Sequence, residues 1–193
     1  GVLTLVGFGA KAGAFPLHIW LPTAHPAAPA PASAVLSGVI TKTGIYGVAV
    51  LSTTLFLHDG QWGMLLAGIG GITMVLGAVL ALCSNDLKRT LACSSVSQIG
   101  FILVGLSMQC LLGHHNALAV DGTILHIVNH SLIKMVLFPA AGVIHLTTHS
   151  FDLNQIRGFG RGKPLLAFIM GVPMLSLAGL PLLNGYVSKT LLH

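Results

Sequence analysis

His126, His130 and Lys134 recur at a spacing of four inside an otherwise apolar run, Thr123 to His149. At 3.6 residues per turn they stack along one face of a helix. The run is long enough to cross a bilayer, so the stripe lies at membrane depth. A charge there costs at least ~2.5 kcal/mol on the mildest insertion scales. Imidazoles titrate near neutral pH, and a desolvated amine gives up its proton more readily than one in water. The chemistry this pattern suits is proton transfer. The plainer alternative is that the same groups bond neighbouring helices together.

Three more lysines lie in or at the edge of apolar stretches: Lys11, Lys42 and Lys189. Lys42 and Lys134 sit too far from either end of their spans to reach the interface easily. Four amines placed separately against lipid would cost on the order of 10 kcal/mol at ~2.5 each. They are tolerable if they face one shared, hydrated path. One axis through Lys11, Lys42, Lys134 and Lys189, bridged by His126 and His130, is therefore expected.

The elements that must position these groups follow from composition. Of 193 residues, 54% are hydrophobic and 7% charged, with a mean hydropathy of +0.89. A soluble domain carries about 25% charged residues, so this is an all-α polytopic membrane bundle with room for about six spans. The spans are expected near 2–21, 32–57, 62–83, 90–108, 122–148 and 164–189, forming one transmembrane domain over 1–193. Pro16 and Pro22 should break the first span, and Gly179 with Pro181 the last. Paired broken helices point to inverted-repeat transporters. Residues 22–31, PTAHPAAPAP, read as a proline-rich connector. Gly68, Gly70, Gly71 and Gly77 offer small surfaces for close helix contact in the third span. Ser94, Ser95, Ser97 and Gln98 make the start of the fourth span unusually polar. Lys and Arg gather in the loops at 84–89 and 149–163, which the positive-inside rule places in the cytoplasm. The net charge of +5 thus belongs to topology, not to nucleic acid.

No Glu occurs, and the acids Asp59, Asp86, Asp121 and Asp152 all lie near span ends. Cys83, Cys93 and Cys110 show no ligand spacing, so neither a metal nor a cofactor is expected. A di-iron desaturase would group several histidine boxes at one membrane face with carboxylates. Here HxxxH is mid-span, and the His114-His115 pair lies beyond a span end. A bis-histidine haem would need facing ligands, for which His126 with His18 is the conceivable pair. A hard cation prefers oxygen ligands, and with no acid mid-span the path favours protons over Na+.

Four ordered motifs carry a resemblance. They are Lys11-Ala-Gly-Ala-Phe-Pro-Leu-His-Ile-Trp-Leu-Pro-Thr-Ala-His25, continuing to Lys42-Thr-Gly-Ile-Tyr-Gly47; Asp86-Leu-Lys-Arg-Thr-Leu-Ala-Cys-Ser-Ser-Val-Ser-Gln-Ile-Gly100; His126, His130 and Lys134 through to His145; and Gly179-Leu-Pro181 through to Lys189. Together these resemble the antiporter-like subunits of respiratory complex I, multi-subunit sodium/proton antiporters and membrane-bound energy-converting hydrogenases. Cys93 stands where that family usually has tyrosine. The resemblance implies about helices 7–12 of a fourteen-helix subunit, with the rest of the first repeat and the C-terminal helices missing. Lys11 then looks like the pumping lysine of the broken seventh helix and Lys42 like the linking lysine of the eighth. His126, His130 and Lys134 look like the eleventh-helix relay, and Lys189 like the output group of the twelfth. His18, His25 and His145 fall on water-path or structural positions. The fifth-helix Glu that pairs with the seventh-helix lysine in that family has no counterpart here.

The resemblance also implies a bacterial or archaeal cell membrane and partners among other membrane-arm subunits. It implies no redox chemistry in this chain itself. The function expected is proton translocation in a redox-driven pump. A Na+/H+ antiporter subunit and a truncated, non-transporting fragment are the alternatives.

Overall fold

A computed structural model describes residues 1–112 and 117–191. Val2–Ala12 forms α1 and Trp20–Ala27 forms α2. Ala30–Val35 (α3), a π-helical turn at Leu36–Ile40 and Thr41–Thr54 (α4) run on as one rod. Gly60–Leu82 (α5), Leu87–Leu111 (α6), Ala117–Thr148 (α7), Pro164–Ala178 (α8) and Asn184–Thr190 (α9) complete the order, with a 3-10 turn at Phe159–Gly162 before α8. Four of these, Ala30–Thr54, Gly60–Leu82, Leu87–Leu111 and Ala117–Thr148, are long and apolar enough to cross a membrane. The other apolar helices, Val2–Ala12 and Pro164–Ala178, are shorter because each belongs to a broken span.

Both breaks are built alike. α1 ends on Gly13 at φ 82° and α8 on Gly179 at φ 88°, a left-handed cap that a side chain would strain. Across the first break, Trp20 Nε1 donates to Ala10 O at 2.8 Å, and Phe15 N donates to Thr73 Oγ1 at 3.0 Å. Across the second, Gly185 N donates to Ser176 Oγ at 3.1 Å. Backbone groups freed by the breaks are thus satisfied within protein, as irregular backbone at membrane depth requires.

Two expectations need correction. The stretch 22–31 is not a plain connector, since α2 occupies its first half. Pro22 falls in the first turn of α2 and Pro31 in that of α3, where the missing N–H would have had no helical partner anyway. Of the four α5 glycines singled out from the sequence, Gly70 and Gly77 meet α6, as does Gly63, whereas Gly68 and Gly71 face open space.

The central element is α6, packed by α5 along its length and by α2, α4 and α7 elsewhere. Its neighbours come very close: a Cβ at Gly100 would collide with Met74 N, and one at Gly77 with Ser97 N. Asp59 and Asp86 spend their carboxylates as N-caps of α5 and α6, accepting from Gln61 N at 2.9 Å and Arg89 N at 2.8 Å. The loops before α6 and after α7 pair through Leu87 N to Phe151 O and Leu153 N to Asn85 O, both 2.9 Å. They therefore share one end of the bundle.

Candidate functional site

α7 presents His126, His130 and Lys134 to α6 and to the α3–α4 rod, and all three are buried. Lys134 Nζ donates to Leu91 O at 2.7 Å and to Ser94 Oγ at 2.6 Å. Its side chain is fully enclosed, so every ammonium hydrogen bond must come from protein or from water held there.

Lys42 opens α4, immediately after the π turn. That turn inserts a residue into the helical register and leaves the Ser37 carbonyl to accept from Lys42 Nζ at 2.5 Å. Lys42 Nζ also lies 2.8 Å from His130 Nδ1. An ammonium can only donate, so Nδ1 is then the acceptor and the ring proton sits on Nε2, which has no hydrogen-bond partner among the described residues. A proton received at Nδ1 can thus leave from the opposite side of the ring. Behind this contact, the Ser37 and Ser95 hydroxyls meet at 2.8 Å, and Ser95 neighbours the Ser94 that holds Lys134.

His126 continues the line, its ring parallel to His130 with centroids 6.5 Å apart. Its Nε2 is 2.9 Å from Gln98 Oε1, which accepts, and its Nδ1 is 3.2 Å from Ser188 Oγ on α9. Lys189, next to Ser188, donates to Leu177 O at 2.7 Å, a carbonyl released by the break after α8. The fold therefore brings together Lys42, His130, Lys134, His126 and Lys189.

Lys11 is not part of this cluster. It lies exposed at the end of α1, and no hydrogen bond joins it to the other lysines among the described residues. His25 is fully buried and stacked on Phe138, at 4.5 Å, one turn beyond Lys134. His18 is buried beside the first break, and His145 stacks on Phe151 at the loop end, 4.0 Å away. The His114-His115 pair lies outside the described residues. Sequence reasoning missed Ser37, Gln98 and Ser188 as site residues. The polar opening of α6 was the available signal for Gln98, whereas Ser37 and Ser188 depend on helix register.

The family described as NADH:quinone oxidoreductase/Mrp antiporter, transmembrane, matches residues 1–192. The chain belongs to this family. Among its relatives, hydrogenase-4 component B of Escherichia coli (strain K12) is 41% identical over 97% of this chain and 29% of its own length. A Na(+)/H(+) antiporter component of Alkalihalophilus pseudofirmus is 36% identical over 97% of the chain and 37% of its own. The Mrp complex from Dietzia sp. contains a chain that superposes with a TM-score of 0.92 at 29% identity, over 99% of this chain and 35% of that one. The fold is thus that of an antiporter-like membrane subunit. The chain spans about a third of these relatives' length, and family members are components of multi-subunit membrane complexes.

Proposed function

We propose that this chain carries protons through the membrane arm of a redox-driven pump, as roughly helices 7–12 of a fourteen-helix subunit. The relay residues are Lys11, Lys42, Lys134, Lys189, His126 and His130. The observation that carries the reading is the Lys42 Nζ to His130 Nδ1 contact at 2.8 Å within a buried line running to Lys134 and, through His126, to Lys189. Imidazoles stand between the Lys42 amine and Lys189 there, so a proton can pass along that stretch without two ammonium groups meeting. Lys11 enters from an outer face, where segments beyond this chain would have to complete the path. The wider family supports ion translocation in general. Protons are favoured over Na+ because Asp59 and Asp86 serve as caps and no carboxylate lies on the line among the described residues.

In the complete subunit, Lys42→Ala or Lys134→Ala should abolish proton pumping while the subunit still inserts and assembles. Lys→Arg at either position should also fail, because guanidinium does not release its proton in any accessible range. Normal pumping by both alanine variants in reconstituted vesicles would make these lysines structural.

A further inference from the structure

A groove on the outer side of the bundle takes no part in the relay. Its volume is about 540 Å³. One wall is the hinge between α2 and α3, with Pro26, Pro29 and Pro31, and the other is the end of α7, with Pro139, Val143 and Leu146. Proline carries no N–H, so these walls offer hydrocarbon with few donors. Gly142 lets the walls touch, since a Cβ there would collide with the Ala30 Cβ. Val143 and Leu146 are 49% and 75% exposed although they lie on a helix long enough to cross a membrane.

The groove is not apolar throughout. Lys88, His145 and Phe151 line the end nearest the loops. Lys88 lies in the first turn of α6, the level at which a span meets lipid headgroups. From there the hydrocarbon walls run inward, with Pro139 about 10 Å along α7 from Leu146. Lys88 is 3% exposed, and its ammonium donates to Ala28 O at 2.7 Å and lies 4.5 Å from the Phe151 ring centroid. An ammonium has three N–H donors, and a carbonyl with an aromatic face supplies no anion. Asp86, two residues away, spends its carboxylate as the N-cap of α6. His145 stacks on Phe151, and its buried Nδ1 has no hydrogen-bond partner among the described residues.

We propose that this groove binds one anionic phospholipid from the leaflet at the basic end of the bundle, with its phosphate on Lys88 and His145 and one acyl chain along the proline walls. A cation at headgroup level above an apolar channel matches that molecule in charge and in shape. Basic pockets between membrane helices hold anionic headgroups by the same means. A free phosphate would leave the hydrocarbon walls bare, and a neutral headgroup would bring Lys88 no net countercharge. The inference does not depend on the relay.

The test uses the complete complex in phosphatidylcholine vesicles. These are doped with phosphatidylglycerol or phosphatidylcholine that carries a diazirine on one acyl chain. After illumination, peptide mass spectrometry locates the attached lipid. Phosphatidylglycerol should label 139–146 roughly fivefold more than phosphatidylcholine, the preference that one basic group at a membrane surface confers. Lys88→Arg should keep that preference and Lys88→Met should lose it, in complex whose assembly is confirmed by size exclusion. Because Lys88 also supports Ala28, Val143→Trp is the second variant. It leaves the amine in place, fills the groove, and should cut phosphatidylglycerol labelling of 26–31 to the phosphatidylcholine level. Equal labelling by the two lipids in the wild-type complex overturns the headgroup contact. No label on 139–146 from either lipid, as when a protein segment fills the groove, overturns the site. So does a preference that survives Val143→Trp or an assembled Lys88→Met.

Discussion

At the scale of single residues the proposed relay turns on His130, the one ring among the described residues that is hydrogen-bonded to a lysine amine. His130→Phe keeps the ring volume and the stacking against His126 but removes the acceptor. Pumping should be lost, while assembly, followed by size exclusion of the purified complex, should persist. Ser37→Ala is the informative contrast. Lys42 uses the Ser37 backbone carbonyl, which alanine retains, and only the hydroxyl contact with Ser95 is lost. The cost should be about 1 kcal/mol of stability, the net worth of one hydrogen bond, with pumping largely kept. Loss of pumping in Ser37→Ala would move the proton path onto the hydroxyls. The titratable stripe on α7 was legible because spacing of four on a helix fixes a common face. The partners Gln98 and Ser188 were not, since their contact with His126 depends on how α6, α7 and α9 are rotated against each other. The separation of Lys11 was hidden for the same reason: its place in the chain does not say which way α1 turns it.

At the scale of elements, the broken spans could be read because proline and glycine act locally on the backbone. The π turn at Leu36–Ile40 could not, since LSGVI contains nothing that forbids an ordinary α-helix. The close passage of α5 along α6 was half legible: four glycines announced a small-residue surface, but periodicity did not say which pair faced inward. That pairing makes a sharp stability test. At Gly100 an added Cβ would strike the Met74 backbone, which cannot rotate away, so α5 must move as a whole. Gly100→Ala should cost about 1–3 kcal/mol, the range for overpacking, and lower the thermal unfolding midpoint in detergent. Gly71→Ala meets open space in the described residues and should leave the midpoint unchanged or slightly raised by its better helix propensity. Equal midpoints for the two variants would mean that α5 and α6 do not pack as described.

At the scale of the whole molecule, direction matters, because a relay pumps only if each end opens to a known side. The loops before α6 and after α7 are tied to one another by two backbone hydrogen bonds, so they must face the same compartment. That end holds Lys88 and Arg89 in the first turn of α6 and Arg157, Arg161 and Lys163 after α7, whereas the turn before α5 carries His58 and Asp59 and no Lys or Arg. Lys88 is committed to the fold, donating to Ala28 O at 2.7 Å with its ammonium 4.5 Å above the Phe151 ring, yet it still counts as a basic group at that end. The positive-inside rule then predicts that this end faces the cytoplasm. Arg161 and Gly60 are both exposed and mark opposite ends of the bundle. In the complete subunit, a cysteine replacing Arg161 should react with a membrane-impermeant maleimide in inside-out vesicles alone. A cysteine replacing Gly60 should react in right-side-out vesicles alone. The reverse pattern would turn the whole bundle over and place its basic end on the outer face.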